Sequence, residues 1–336
     1  MAEFDLVIRG GRVATASETF DADIGVRGGR IAALGKDLGR GALDLDSTDR
    51  MTDYYMRVGC DGMTILGVMG EAPKLAPEES AQFAERVLRR VAGRIPVIVG
   101  VSAPGMTVMK SLTGKVMQMG AAGVMVAPNA GLKTDEAIEA YYAAVVKSLG
   151  ADVPIVLQDY PALTGVNMSI GCVNRLLKSH DSIKVLKHED IPGHRKLTKV
   201  RAAEASGDRK RRVSILVGNT ALYLPQELRR GADGANTGFA YPEMLVEVCR
   251  KFFAGDAEGA EDLYDLYLPV VRHEQQPGIG LSIRKEILRR RGVISSAHVR
   301  APGAMMDADD HKELDGLIAR LERRLAERGM SAKAAE

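Results

Sequence analysis

From Gly62 onward, short apolar runs recur about every thirty residues, the length of one strand, one crossover helix and two loops. They begin near Gly62 (GMTIL), Pro96 (PVIVGV), Gly123 (GVMVA), Pro154 (PIVLQ), Ile183 (IKVLK), Val213 (VSILV) and Gly234 (GANTG). Runs that are apolar at consecutive positions belong to strands covered on both faces, as in a parallel sheet flanked by helices. Between them lie longer amphipathic stretches with readable starts. Pro77-Glu78-Glu79 opens a helix through Val91, and Thr134-Asp135-Glu136 opens one through Leu149. The pattern predicts an α/β chain built on a (βα)8 TIM barrel. Only seven strand runs are legible, so the first strand is atypical or missing. Either an N-terminal run such as Leu6 to Ile8 or Ile31 to Leu34 takes its place, or the barrel is open there and a neighbouring chain covers the gap.

Three segments follow. Residues 1–45 carry a local repeat, in which Val7-Ile8-Arg9-Gly10-Gly11-Arg12-Val13-Ala14 is echoed by Val26-Arg27-Gly28-Gly29-Arg30-Ile31-Ala32. Each Gly-Gly pair between β-branched runs suits a tight hairpin turn, which predicts a small antiparallel sheet that packs on the main body or on a second subunit. Residues 46–240 hold the barrel. Residues 241–336 form a C-terminal helical extension, with helices over Leu245 to Phe253, Ala260 to Leu268, Ser282 to Arg291 and Lys312 to Arg328, and a frayed tail from Gly329.

Composition removes several classes of function. Lys plus Arg (46) nearly cancels Asp plus Glu (44), so no broad field draws polyanions, and neither nucleic acid nor a membrane is expected as a partner. The basic run Arg209-Lys210-Arg211-Arg212 reads as a solvated helix-to-strand loop. No apolar run reaches the ~20 residues of a membrane span, and the N-terminus is not signal-like, so a soluble, cytoplasmic chain is expected. Cys60, Cys172 and Cys249 are far apart and form no CxxC pair, which reads as buried hydrophobes in a reducing compartment.

The chemistry centres on Lys187, at the end of Ile183-Lys184-Val185-Leu186. Side chains alternate along a strand, and active sites of such barrels lie at the carboxyl ends of strands, so Lys187 points into the barrel mouth. Burial there favours the neutral amine, which can attack a ketone. The bland alternatives are a lysine snorkelling to solvent or one bridged to Glu189. Gly67-Val68-Met69-Gly70-Glu71, directly after its strand, can fold tightly enough to turn backbone N–H groups toward a carboxylate. A plain βα turn uses glycines the same way. Gln158-Asp159-Tyr160-Pro161-Ala162-Leu163-Thr164-Gly165 follows another strand, and alternation puts Gln158 and Tyr160 on one face, an amide and a phenol for the mouth or a Tyr with a satisfied hydroxyl. Asn236, in the last run, joins the candidate substrate contacts.

In their order and spacing, these segments resemble the dihydrodipicolinate synthase and N-acetylneuraminate lyase family of pyruvate-dependent class I aldolases. GCDGMTILGVMGE is similar to the family's second strand and GTTGE loop, VIVGVS to its third strand, PIVLQDYPALTG to its YNxPxxTG motif, and IKVLKHED to the strand bearing the Schiff-base lysine. The resemblance implies a Schiff base on Lys187 with pyruvate or another 2-keto acid, no cofactor or metal, and a homo-oligomer, dimer or tetramer. It departs where Val68 and Met69 replace the loop threonines, Gln158 the proton-transferring tyrosine, Leu163 the arginine for the second substrate, and Ala130 or Asn129 the tyrosine exchanged between subunits. Dihydrodipicolinate synthase activity itself is therefore not expected. Residues 1–45 resemble the opening of hydantoinases and dihydropyrimidinases, but no HxH pair follows and the six histidines show no ligand spacing.

The expected function is an aldolase, dehydratase or decarboxylase acting through an iminium on Lys187. Tyr160 or Gln158 would move the proton, and backbone groups of Gly70, Glu71, Thr164 and Gly165 would hold the carboxylate. The alternatives are a degenerate ligand-binding or assembly protein and, less supported, a zinc hydrolase.

Overall fold

The computed structural model describes residues 4, 6–16, 18–35, 43–191, 193–209 and 211–331. The chain divides into two units, Met1–Asp44 and Leu45–Glu336.

The first unit is an antiparallel meander of β1 (Leu6–Ala14), β2 (Thr19–Arg27) and β3 (Arg30–Gly35). The two Gly-Gly pairs of the repeat have different jobs. Gly28 and Gly29, at φ 59° and 74°, form the two-residue turn that pairs Arg27 with Arg30. Both angles lie where only glycine is unstrained. Gly10 (φ 60°) instead makes a bulge, because the register with β2 slips between Ile8 and Gly11. The expected second hairpin turn is thus a bulge, and the chain reverses further on, where the Thr15 N–H donates to the Glu18 carbonyl (2.8 Å). Register places Leu6, Ile8, Ile24, Val26 and Leu34 on one face of this sheet. Neither Leu6 to Ile8 nor Ile31 to Leu34 supplies a barrel strand, since both runs pair within this separate sheet.

The second unit opens with α1 (Leu45–Arg57), a helix the sequence pattern did not announce. There follow β4 (Met63–Ile65), α2 (Pro77–Val91), β5 (Val97–Gly100), α3 (Met106–Gln118), β6 (Gly123–Val126), α4 (Asp135–Leu149) and β7 (Ile155–Asp159). Next come the short α5 (Pro161–Thr164), α6 (Ile170–Ser179), β8 (Ile183–His188), α7 (His194–Ala205), β9 (Ser214–Val217), α8 (Leu224–Arg229) and β10 (Gly234–Ala235). Helices α9 (Pro242–Phe253), α10 (Ala257–Glu274), α11 (Gly280–Arg290) and α12 (Ala308–Ala326) complete the chain. Start signals work as read. Pro77 occupies the first turn of α2, and the Thr134 and Ser169 hydroxyls accept the Ala137 and Cys172 N–H groups at 3.2 and 3.0 Å. No described helix is long and apolar enough to cross a membrane.

The seven strands β4 to β10 are parallel and ordered as in sequence. Among the described residues no eighth strand joins them. The sheet nevertheless curls until its edges meet, because the Asn236 amide, just past β10, donates to the Thr64 hydroxyl on β4 at 3.0 Å. The helix-facing layer is dry through the middle strands, with Val99, Val124, Val126, Ile155, Leu157, Leu186, Ile215 and Val217 all fully buried, whereas Met63 and Ile65 on the edge strand β4 are half-buried. The inner layer is uneven. Met125, Val156, Gln158 and Lys187 are buried, whereas Thr64, Ile98, Val185 and Leu216 are only half-buried.

The basic run is not a solvated loop. Arg211 donates to the carbonyls of Leu177, His180 and Ile183, holding the C-terminal end of α6, and Arg209 is buried against Glu204 at 2.9 Å. Lys210 lies outside the described residues.

Asn236→Ala should cost about 1 kcal/mol by cutting the tie between the first and last strands. In urea unfolding, Thr64→Val in the Asn236→Ala background should then cost almost nothing more. Full additivity of the two losses would show that the edges are not joined there.

Candidate active site

Strands β7 and β8 run in register, with Gln158 opposite Lys187 and Asp159 opposite His188. Alternation sends Gln158 and Lys187 inward and Asp159 and His188 toward the helices. Lys187 is only 8% exposed, and its Nζ lies 3.4 Å from Glu189 Oε1. The other oxygen of Glu189, itself 5% exposed, accepts from Gln158 Nε2 at 2.7 Å. Gln158, Lys187 and Glu189 thus form one buried chain of contacts at the carboxyl ends of two strands. The backbone fixes Glu189 from both sides, its N–H donating to the Asp159 carbonyl (2.9 Å) and its carbonyl accepting from Asn219 Nδ2 (2.9 Å). Gly218 leaves the room it needs, since a Cβ there would fall 2.2 Å from Glu189 Oε1.

Tyr160 follows β7 at the start of α5 and is half-buried. Burial raises its phenol pKa, the Glu189 charge raises it further, and Arg284 lowers it. Sequence reasoning missed the groups that complete this neighbourhood. Asn219, Thr220 and Ala221 are three successive non-glycine residues with φ of 53°, 54° and 60°. Such strain persists only where the surroundings enforce it. Here the Thr220 N–H donates to the Thr237 hydroxyl (2.8 Å), and Tyr264 donates to the Ala221 and Leu222 carbonyls. Arg284 is paired with the fully buried Glu274 under Gly238, where a Cβ would strike its guanidinium at 2.1 Å, and lies 3.4 Å from the Thr220 hydroxyl. Only the run Gly218-Asn219 hinted at this turn, because Asn tolerates left-handed backbone better than most residues.

The loop Gly67-Val68-Met69-Gly70-Glu71 makes a 3₁₀ turn over Val68–Gly70. Here the expected carboxylate grip does not hold. The Gly70 and Glu71 N–H groups donate to the Gly67 and Val68 carbonyls, both at 3.0 Å. The Glu71 side chain faces elsewhere, binding Lys74 (3.2 Å), Lys285 (3.0 Å) and the Arg300 N–H (2.8 Å). Thr164 and Gly165 are occupied too. The Thr164 hydroxyl donates to Tyr160 O and accepts from Val166 N, and the Gly165 N–H donates to Pro161 O. The N–H groups of Gly67, Val68 and Met69 have no acceptor among the described residues, and those of Val68 and Met69 lie in the first turn, where a helix has none to offer. Asn236 has its amide on Thr64 rather than on the lysine's group.

Burial pushes the Cys60 and Cys249 thiols up to about 11 and Cys172 up to about 12. None is a nucleophile at neutral pH. Asp135, Glu139 and Cys172 lie close enough to share an ion, but Arg175 already bridges the two carboxylates at 3.1 and 2.7 Å.

A second polar cluster sits behind the strands. Lys196 on α7 places Nζ 2.5 Å from Asp159 Oδ2 and 3.2 Å from Asp190 Oδ2. His188 Nδ1 faces Asp159 Oδ2 at 3.8 Å, and its Nε2 lies 3.1 Å from the Gly193 carbonyl. A carbonyl only accepts, so this nitrogen carries a proton. Glu227 on α8 faces the same cluster; burial raises its carboxyl from 4.5 to about 7, with His188 opposing the shift.

A curled parallel sheet flanked by helices, with a buried lysine, carboxylate and amide grouped at its carboxyl edge, is the architecture of a (βα)-barrel enzyme. The chain belongs to the dihydrodipicolinate synthetase family, whose model matches residues 35–321. It is, with that family, a Schiff-base-forming lyase. Among similar proteins is the L-2-keto-3-deoxyarabonate dehydratase of Azospirillum brasilense, 30% identical over 291 residues, which cover 84% of this chain and 90% of that one. The crystal structure of dihydrodipicolinate synthase from Rhodopseudomonas palustris is 45% identical, with a TM-score of 0.80 over 82% of this chain and 91% of the other. YagE, a prophage protein of the family from E. coli K12 solved with pyruvate, is 25% identical, with a TM-score of 0.75 over 83% and 93% of the two chains.

The Glu227 carboxyl makes a pH prediction. Between 4.5 and about 7 the unfolded chain releases a proton that the folded chain keeps, so stability falls as pH rises through that window and levels off above it. Glu227→Gln should abolish this loss, which is at most on the order of 3 kcal/mol. Melting midpoints at pH 5 and pH 8 check it, and an unchanged difference between them in the variant would refute the assignment.

Proposed function

We propose that this chain is a class I lyase of 2-keto acids, pyruvate-like at the reacting end, with the iminium formed on Lys187. One observation carries the reading: Lys187 Nζ is enclosed on the inner face with the Glu189 carboxylate 3.4 Å away. That carboxylate can take the proton that turns the ammonium into an amine. The amine adds to the keto carbon and one N–H proton passes to the oxygen; Glu189 returns the proton it took as the hydroxyl leaves as water, which restores the carboxylate, and the resulting iminium draws electrons from the neighbouring C–H bond. A base beside the nitrogen then removes the C3 proton; the electron pair of that C–H bond becomes the C2–C3 double bond while the C=N π pair moves onto nitrogen, which gives the enamine.

Glu189 is the best-placed base, with Gln158 orienting it and Tyr160 as a second proton carrier across the mouth. The N–H groups of Val68 and Met69 are the donors for the substrate carboxylate. The loss of hydroxyls at these two positions moves proton transfer away from the loop and toward Glu189 and Tyr160. Elimination of water from a 3-deoxy-2-keto sugar acid is the best supported of the possible reactions, because a relative spanning nearly the whole chain is a dehydratase of such a compound. The family's habit of assembling favours a homo-oligomer.

Borohydride reduction in the presence of pyruvate should add mass to the peptide that contains Lys187, and Lys187→Ala should abolish the adduct. Glu189→Gln should still trap pyruvate while slowing exchange of its methyl protons in D2O by on the order of 10²- to 10⁴-fold. No adduct, or the same adduct without Lys187, sinks the reading. Adduct formation with no turnover of any 3-deoxy-2-keto sugar acid would remove the dehydratase assignment alone.

A further inference from the structure

Strands β7 and β8 carry two polar sets in alternation. Gln158 and Lys187 face inward, and directly behind them Asp159 and His188 face the helices, paired with each other in register. The outward set is almost fully enclosed, with Asp159, His188 and Lys196 at 0%, 1% and 6% exposure. Lys196 spans from α7 to Asp159 at 2.5 Å and to Asp190 at 3.2 Å, so one ammonium ties the end of β7, the segment after β8 and the start of α7. His188 adds a link to the Gly193 carbonyl at 3.1 Å, and Gly193 has no space for a side chain, since a Cβ would lie 2.2 Å from that imidazole nitrogen. Glu227 on α8 lies within electrostatic range of His188, Tyr142 on α4 of Asp159, and Cys172 on α6 of Lys196.

A buried ion pair contributes little net stability, because taking two charges out of water offsets their attraction. What it supplies is geometry. The residues it holds are immediate neighbours of the reacting groups: Asp159 lies between Gln158 and Tyr160, and His188 between Lys187 and Glu189. Glu189 is already beyond the end of β8, and its N–H hangs on the Asp159 carbonyl. Any drift of Asp159 therefore carries Glu189 with it.

We propose that Asp159 and Lys196, with His188, are positioning residues for the lyase reaction: their buried ion pair clamps the ends of β7 and β8 against α7 and so holds the Glu189 carboxylate at Lys187. The proposal rests on the assignment of Lys187 as the Schiff-base lysine. Neither Asp159 nor Lys196 touches substrate.

The test compares the wild-type enzyme with Lys196→Arg and with the double variant Asp159→Asn/Lys196→Met, which removes both charges and leaves no uncompensated ion. Folding is followed by circular dichroism and melting, imine formation by borohydride trapping over a range of pyruvate concentrations, and proton abstraction by deuterium exchange at the pyruvate methyl group. The double variant should fold and trap pyruvate with a half-saturating concentration close to wild type, while exchange falls on the order of 10- to 100-fold, the cost of displacing a catalytic group by a fraction of an ångström to an ångström. Lys196→Arg, which keeps the cation, should recover most of the exchange rate. Wild-type exchange in a folded double variant overturns the proposal alone. So does a loss shared equally by trapping and exchange, or one that Lys196→Arg fails to rescue, since either marks a merely structural pair. Absence of an adduct in the wild-type enzyme overturns the Lys187 assignment, and the clamp with it.

Discussion

An ammonium and a carboxylate enclosed in a protein interior must satisfy each other, and the contact of Lys187 with Glu189 is the constraint around which the barrel mouth is organised. Two residues apart on a regular strand, the side chains would be parallel and their Cα atoms about 7 Å apart. They meet because β8 ends at His188, which lets Glu189 turn back over the mouth. That turn needs support from outside the strand, and it comes from the Asp159 carbonyl, the Asn219 amide and the open space at Gly218. The strained turn over Asn219–Ala221 follows from the same requirement, since it is what brings the Asn219 amide to the Glu189 carbonyl.

The seven strands described set a second condition. A closed barrel fills its interior with layers of side chains from every strand. Here the inner face is uneven, buried at Met125, Val156, Gln158 and Lys187 and half-buried at Thr64, Ile98, Val185 and Leu216. Lys187 is itself buried, two or more strands from either edge of the sheet. The Asn236–Thr64 hydrogen bond joins the two edges.

Much of this was legible in the sequence because it depends on local periodicity. All seven strand runs, the starts of α2 and α4, and the inward turn of Gln158 and Lys187 follow from apolar runs, capping residues and alternation. What was not legible depends on register or on distant partners. Gly10-Gly11 and Gly28-Gly29 have the same local sequence, yet only pairing with β2 decides which is a bulge and which a turn. Glu71 sits in a loop that read as a ligand grip, but its carboxylate is claimed by Lys285 and the Arg300 N–H, over 200 residues away. Arg284 and Glu274 reach the site from the C-terminal helices, which no motif near Lys187 could announce. The bridge to Glu189, first weighed against a catalytic lysine, is compatible with one: the same carboxylate that neutralises the ammonium at rest is placed to accept its proton.

The loop 67–71 carries no hydroxyl at Val68 and Met69, yet keeps a tight 3₁₀ turn. Backbone donors do not depend on side-chain identity, so Val68 and Met69 can keep their N–H groups toward an anion while removing any relay through a hydroxyl. On the proposed reading, proton traffic runs through groups at the ends of β7 and β8, and behind those ends lies the buried cluster of Asp159, His188 and Lys196. An acid or base is effective only if it stays within hydrogen-bond reach of the proton it moves. A carboxylate beyond the end of a strand, with no ladder partner of its own, meets that condition only when the neighbouring strand end is itself immobile. The charged layer behind Gln158 and Lys187 thus belongs to the same chemical requirement as the layer in front.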